Sequence, residues 1–274
     1  MPGGIQAPQY STRTKVWVTR PMQDSEVWVK ALNNAGFDAR ALPLMAIGPA
    51  PDPSGMALAW QHLDRYFAVM FVSANAVRYF WHRQAADVTP VQWGSARAWV
   101  TGPGTRAALH QVGVPDAQID GPAPGAAQLD SEALWTNVAS QVQSLADLHQ
   151  TVLIVRGADA TGRMAGRDWL AQQLIQAGVH VDQVVAYQRL QPQLSPAQQL
   201  MAAQAASDGS IWLFSNSEVL SHLQQLLPGQ DWSQAKAVAT HPRIAKQARA
   251  VGFEHVAIAQ PDRESVAASI KSMA

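Results

Sequence analysis

Six short stretches of the chain hold the residues best able to do chemistry: Thr19–Pro21, Ser73–Asn75, Gly102–Thr105, Arg156–Asp159 with Gly162 and Arg163, Ser215–Ser217, and Thr240–Arg243. Small or hydroxyl residues dominate five of them, so a ligand can approach the backbone amides closely and take side-chain hydrogen bonds as well. Helix capping alone accounts for any single stretch, because Ser, Thr and Asn are favoured at helix starts and contribute about 1 kcal/mol each. As a set, with Arg20, Arg156, Arg163 and Arg243 in or beside them, they point to anion binding by main-chain N–H groups and forked guanidinium contacts. The basic composition leans the same way, with 15 Arg against 5 Lys in a chain whose 20 basic and 20 acidic residues cancel. At 15% charged residues and no net charge, no global field favours duplex nucleic acid or an anionic membrane, so a charged ligand must be met locally.

Other chemistries fail on specifics. The absence of cysteine removes disulfides, thiolate nucleophiles and Cys-ligated metals together. A nucleotide-binding GxGxxG is missing after the first strand, where the chain reads TRPMQD (Thr19–Asp24), and GPGTR (Gly102–Arg106) is too short a match. There is no phosphate-loop GK followed by Ser or Thr, no GxSxG elbow and no HExxH, and the eight histidines are scattered, so neither a metal nor a cofactor is expected. His241, at a strand end, is the one histidine kept as a ligand contact, with a solvated loop histidine as its alternative. Asp159 is the only acidic residue at these ends and reads as a cap. Lacking a strong acid, base, nucleophile or metal, the site suits a substrate that is already reactive and needs to be held in one shape.

The elements that must position these loops alternate as βα units. Strand-like runs fall at Val16–Thr19, Ala41–Ile47, Ala68–Val72, Ala98–Thr101, Thr151–Val155, Val184–Tyr187, Ser210–Phe214, Ala237–Thr240 and His255–Ala259, with helical spacing between them. Gly36, Gly113, Gly178 and Gly252 mark helix ends. That alternation feeds parallel sheets, whose ligands bind beyond the carboxyl ends of the strands. The pattern also repeats: FVSANAV (Phe71–Val77) parallels FSNSEV (Phe214–Val219), and VTGPGTRAALHQVGV (Val100–Val114) parallels ATHPRIAKQARAVGF (Ala239–Phe253). A looser pair joins VTRP (Val18–Pro21) to IVRG (Ile154–Gly157).

At 274 residues and 47% apolar composition the chain has length and core for about two domains by the roughly 150-residue prior. Proline-rich stretches at Ile47–Gly55 and Leu190–Pro196 read as connectors, as if a middle lobe were inserted into an outer one. The N-terminal residues lack a basic start followed by an apolar stretch, and no apolar run approaches a membrane span, so a soluble cytoplasmic protein with a floppy tail over residues 1–14 is expected.

With those loops in view the chain resembles the uroporphyrinogen-III synthase family, from about Lys15 to Lys271. The resemblance rests on the order and spacing of VWVTRP (Val16–Pro21), LPLMAI (Leu42–Ile47), FVSANAV, VTGPGTRAAL (Val100–Leu109), IVRGADATGR (Ile154–Arg163), VAYQR (Val185–Arg189), FSNSEV and ATHPRIAKQARAVGF. It implies two doubly wound, flavodoxin-like parallel α/β domains: residues 15–47 with 197–274 form the first, and residues 56–186, inserted, form the second. Segments 48–55 and 187–196 become a two-stranded linker.

The family closes a linear hydroxymethylbilane with inversion of its last pyrrole ring and loss of water. Its ligands lie between the lobes, their carboxylates held largely by backbone amides. Carried over, the contacts are Arg20; Ser73, Ala74 and Asn75; Gly102, Pro103, Gly104 and Thr105; Arg156, Gly157 and Arg163; Ser215, Asn216 and Ser217; and His241 and Arg243. Tyr187 of VAYQR matches the residue proposed to help the terminal hydroxyl leave, with simple packing in the connecting strand as its alternative. HPRIA (His241–Ala245) departs from the GPTTA often found in relatives, which removes a hydroxyl contact and leaves Arg243 to substitute for it. The resemblance further implies a monomer without cofactor, touching the bilane-producing deaminase at most transiently, with no nucleic-acid or membrane partner. Alternatives of another class are a non-catalytic two-lobed binding protein and a regulatory relative, each for a small polyanion.

Overall fold

The computed structural model describes residues 13–82, 93–123, 125–126, 128–147, 150–164 and 166–274; most of the expected N-terminal tail lies outside the described residues. In chain order the elements are β1 (Lys15–Val18), α1 (Met22–Asn34), β2 (Asp38–Ala41), β3 (Ala46–Pro49), α2 (Ser54–Gln61), β4 (Tyr66–Phe71), α3 (Ala74–His82), β5 (Arg97–Val100), α4 (Pro103–Gln111), β6 (Ile119–Asp120), α5 (Ser131–Asp147), β7 (Thr151–Ala158), α6 (Trp169–Gln176), β8 (His180–Leu190), α7 (Pro196–Ala205), β9 (Ile211–Phe214), α8 (Glu218–Leu226), β10 (Lys236–Ala239), α9 (Pro242–Val251), β11 (His255–Ile258) and α10 (Arg263–Met273). They form two compact units, one from Met1–Met45 with Pro192–Ala274 and one from Ala46–Gln191. Each unit is mixed α/β around one sheet.

The sheet of the first unit runs β11-β10-β9-β1-β2 and is parallel throughout. Central parallel strands are covered by helices on both faces, which is why Ile211–Phe214 is apolar and buried at every position. Val16, Val18, Ile211, Leu213 and Val238 pack on one face against Trp28 and Leu32 of α1 and Val266 and Ile270 of α10. The alternate residues put Trp212 and Phe214 on the other face, in an aromatic cluster with Trp232 and Phe253. Renumbered within the unit, the strand order is 2-1-3-4-5, and its direction of winding reverses between β1 and β9.

The second unit has the order β3-β8-β7-β4-β5-β6, parallel except for β3, which pairs antiparallel with β8 from Ala46↔Leu190 to Pro49↔Tyr187. Val69, Phe71, Leu153 and Val155 face Trp60, Phe80 and Leu109, while Ala68, Met70, Val152 and Ile154 face Leu134, Val138, Leu170 and Leu174. Its five parallel strands read 3-2-1-4-5, with the reversal between β4 and β7. Where β7 meets β8 the register slips: Arg156 faces Val185 but Gly157 faces Tyr187, so Ala186 is the extra residue of a bulge.

Two expectations are corrected. The run Ala41–Ile47 is not one strand: its ends belong to β2 and β3, in different sheets, and Leu42, Leu44 and Met45 between them are buried in an irregular connection. A short apolar run reports burial and not the ladder, and here Leu42 and Leu44 still donate N–H bonds back to Val18 and Thr19. The stretch Ile47–Gly55 is not extended along its length either. β3 stops at Pro49, and Ser54 and Gly55 already begin α2, with the Ser54 N–H capped by the Asp52 carboxylate at 2.9 Å. The glycine helix ends stand as read, with Gly252 in the left-handed region at φ 117° closing α9.

Candidate active site

All six stretches singled out in the sequence lie at the carboxyl ends of parallel strands; in five of them the following helix starts at once and presents first-turn N–H groups without intrahelical partners, whereas Arg156–Ala158 close β7 itself and α6 begins only at Trp169. In the second unit, Ser73 precedes α3 and its Oγ accepts the Ala76 N–H at 3.1 Å. Asn75 is buried, its side-chain oxygen accepting from Arg78 Nη1 at 2.9 Å. Gly102 caps α4 in extended conformation, and Pro103 at the first helical position has no N–H to offer, so the first amides there belong to Gly104 and Thr105. Gly104 is exposed with open space where a side chain would be, whereas Thr105 is buried. The parallel motif behaves alike: Pro242 occupies the same position in α9 after an extended His241.

The loop between β7 and α6 is tied down by its own residues. Asp159 accepts the N–H groups of Thr161 and Arg163 at 2.8 and 3.1 Å and the Thr161 hydroxyl at 2.7 Å, with the Thr161 bond foremost in holding its carboxyl below the usual range. Gln188 donates to the carbonyls of Asp159 and Ala160 at 3.1 and 3.0 Å. Arg163 is exposed at this turn. Arg156, carried as a ligand contact, is only 3% exposed, and its guanidinium donates to Gln183 Oε1 at 2.6 Å, to the Asp168 carboxylate and to the Arg167 carbonyl at 3.3 Å. It braces β7, β8 and the start of α6 from within.

Tyr187 is 4% exposed, and the bulge is what aims it. Successive strand residues point to opposite faces, so Tyr187 would otherwise lie opposite Ala186; with the extra residue both join the cluster on the α3 side. There the phenol oxygen meets Ser73 Oγ at 3.1 Å, the ring of Tyr79 lies 6.1 Å away, and Gly157 lies directly against the phenol. Gln188 and the Ser73–Tyr187 contact escaped the sequence reading. The adjacency of Tyr187 and Gln188 in VAYQR was the available signal, but which partners they meet across 114 and 29 residues was not.

In the first unit, Thr19 is buried and donates its hydroxyl to the Leu213 carbonyl at 2.7 Å, tying β1 to β9. Arg20 lies with its guanidinium 4.4 Å from the centre of the Trp28 ring. Its Nε is buried without a hydrogen-bond partner, and burial lowers its pKa to about 10, which still leaves it a cation at neutral pH. Ser215 Oγ is likewise buried without a partner. Asn216 accepts the Glu218 N–H at 2.8 Å, and Ser217 stands exposed at the start of α8 with no side-chain cap bond. His241 caps α9: its Nδ1 accepts the Arg243 N–H at 3.1 Å, while the Arg243 side chain is exposed. Within the first unit the Arg20 and Ser215 loops flank the winding reversal between β1 and β9; within the second, the Ser73 and Gly157 loops flank that between β4 and β7. Open parallel sheets bind their ligands at such crevices. Among the described residues no group of three or more acidic or histidine side chains could hold a metal, and no helix is long and apolar enough to cross a membrane.

Fold and loops together define a class: parallel α/β proteins with small, hydroxyl and arginine residues stationed at the carboxyl ends of their strands. The family model of uroporphyrinogen-III synthase HemD matches residues 26–268, and the chain belongs to that family, the cyclising lyases of tetrapyrrole biosynthesis. Solved structures agree on the fold. A mutant, selenomethionine-labelled uroporphyrinogen III synthase from the extremely thermophilic bacterium Thermus thermophilus is 15% identical, with 95% of this chain and 98% of that one covered and a TM-score of 0.53. The uroporphyrinogen-III synthetase of Helicobacter pylori is also 15% identical, with 96% and 100% covered and a TM-score of 0.52.

Proposed function

We propose that the first unit is a flavodoxin-like domain, that the second, whose order 3-2-1-4-5 departs from the flavodoxin order expected for it, is a doubly wound domain inserted into the first through the paired segments β3 and the end of β8, and that together they bind hydroxymethylbilane by its carboxylates. Main-chain amides at Ser73–Asn75, Gly102–Thr105, Gly157 and Ser215–Ser217 supply most of the contacts, and Arg20, Arg163, His241 and Arg243 add charge and side-chain donors. Arg156 acts one step back, as the brace of the Gly157 loop. Support comes from the position of these loops at strand ends beside the winding reversals and from the unpartnered buried Ser215 Oγ and Arg20 Nε, groups that gain a partner when an anion arrives.

Tyr187 then donates its phenol proton to the terminal hydroxyl of the bilane. The C–O bond breaks, oxygen departs as water with the bonding pair and that proton, and the pyrrole nitrogen lone pair fills the vacancy as an azafulvenium cation. Attack at the substituted carbon of the last ring, fragmentation and reclosure invert that ring, and the proton lost on rearomatisation returns to the phenolate. No cofactor enters, because the pyrroles supply the electrons. The observation that carries this reading is the Tyr187 hydroxyl held at 3.1 Å by Ser73 in the strand-end layer of the second unit. The same reading has the chain working as a cytoplasmic monomer, meeting the bilane-producing deaminase only transiently.

Isomer analysis tests it. Added to freshly generated hydroxymethylbilane, the protein yields the inverted type III macrocycle; release of only the symmetrical type I product, as in its absence, overturns the reading.

A further inference from the structure

We propose that Arg20 and Ser215 form one carboxylate site in the first unit: a single carboxylate of the ligand accepts from the Arg20 guanidinium and from the Ser215 hydroxyl together. The inference rests on the reading of the chain as a protein that binds hydroxymethylbilane, and adds that these two side chains share one carboxylate instead of meeting different ones.

Strand register brings the two together. Val18 of β1 and Leu213 of β9 are partners in a parallel pair, and the Thr19 N–H just beyond them still donates to the Leu213 carbonyl at 3.4 Å. Side chains alternate between the faces of a sheet, and Val16, Val18, Ile211 and Leu213 all lie on the face covered by α1 and α10. Arg20 and Ser215 follow Val18 and Leu213 by two residues each, so they leave adjacent strand ends at one level and on that same face. The Arg20 guanidinium takes that side, over Trp28 of α1. Between these two strands the winding of the sheet reverses, the place where such folds receive ligands.

Both groups are held in place and unspent. The Thr19 hydroxyl donates to the Leu213 carbonyl at 2.7 Å, the Leu44 N–H to the Thr19 carbonyl at 3.2 Å, and the Ser25 hydroxyl to the Arg20 carbonyl at 2.8 Å, so three bonds fix the backbone that carries Arg20. Trp28 attracts the cation without using any of its N–H groups. Among the described residues the guanidinium donates no hydrogen bond; its Nε is buried, and the Asp24 carboxylate acts on it only through space. Ser215 Oγ is buried without a partner as well. Arg20 and Ser215 are each part-exposed as residues, so a ligand can reach them, and the hydroxyl needs only to turn about its one side-chain torsion. Unsatisfied buried donors at one level of one face call for a common acceptor. A carboxylate supplies it, because its two oxygens accept from both groups while its charge pairs the cation.

A double-mutant cycle on the full chain, read as the Kd for the tetrapyrrole product, tests the sharing. Ser215→Ala is expected to weaken binding about tenfold and Arg20→Gln about thirtyfold, each the loss of a bond to a charged group. The combined variant stays within about threefold of Arg20→Gln, because a carboxylate released by the guanidinium is no longer held against Ser215. Melting temperatures of the unliganded proteins shift additively, since the two side chains do not bond each other. Should Arg20→Gln not fold, Arg20→Lys, which keeps the charge and loses the fork, takes its place in the cycle. Single losses that multiply to about three-hundredfold place the groups on separate carboxylates and overturn the inference. Full affinity in either single variant overturns it too, and in both cases tight binding by the wild type leaves the bilane reading intact. A wild-type protein that does not bind the product removes both.

Discussion

Gly157 lies so close beneath the phenol of Tyr187 that a methyl group on its Cα would sit 2.5 Å from the ring carbon bearing the hydroxyl. No real packing tolerates that distance, so Gly157→Ala forces the ring to move and breaks its bond to Ser73. Overpacking of this kind costs about 1–3 kcal/mol. The expected outcome is a melting temperature lowered by several degrees together with turnover reduced at least about tenfold. An unchanged kcat in a folded Gly157→Ala protein would show that the position of Tyr187 is not critical.

Ser215 presents the reverse case. Its hydroxyl is buried with nothing to bond, and such a group costs about 1–3 kcal/mol in the ligand-free protein. Ser215→Ala therefore leaves the unliganded protein as stable as before or more so, while weakening the binding of the tetrapyrrole product about tenfold. Thermal melting with and without product measures both, and a destabilised free protein with full affinity contradicts the assignment.

Arg156 and Asp168 form a pair in which only the cation is buried, at 4% against 57% side-chain exposure. Removing the anion leaves a buried charge with neutral partners, whereas replacing the cation by an apolar chain of similar length removes the problem at its source. Asp168→Asn is accordingly expected to lower unfolding free energy more than Arg156→Met, by about 1–2 kcal/mol. Urea denaturation of the two variants decides the order.

Asp208 gives the first unit an acid-sensitive tie. Burial raises its pKa, but hydrogen bonds from the Ser210 hydroxyl and N–H and from Lys15, at 2.9 Å, outweigh it and set the folded value below the ordinary 3.8. The unfolded chain thus binds the proton more readily, and the stabilisation, complete above pH about 4, is lost as pH falls through the lowered folded value. Asp208→Asn removes this dependence. Its melting temperature is expected to trail the wild type at pH 7 and to approach it at pH 3, and a constant gap would rule the tie out.

Much of the fold was open to sequence reading because it is local. Alternating short apolar runs and 3.6-period segments, glycines at helix ends and prolines at the first position of α4 and α9 each act through the nearest few residues, and the described elements follow them. The strand-end loops were legible for the same reason. Their contents were less so. Arg156 carries the same guanidinium as Arg163, and nothing in the neighbouring residues of either says that one is buried among Asp168 and Gln183 and the other exposed.

What the amino-acid sequence determined by itself, then, is the order of βα units, the chemistry stationed at their ends and the family to which that order corresponds. Tertiary structure alone decided which sheet each half of Ala41–Ile47 joins, which face Tyr187 takes across the bulge, and that Ser73 and Gly157 meet it there. Side-chain periodicity is a property of neighbours along the chain, while register and burial are set by strands brought together from distant parts of it, where a slip of one residue turns a side chain to the opposite face.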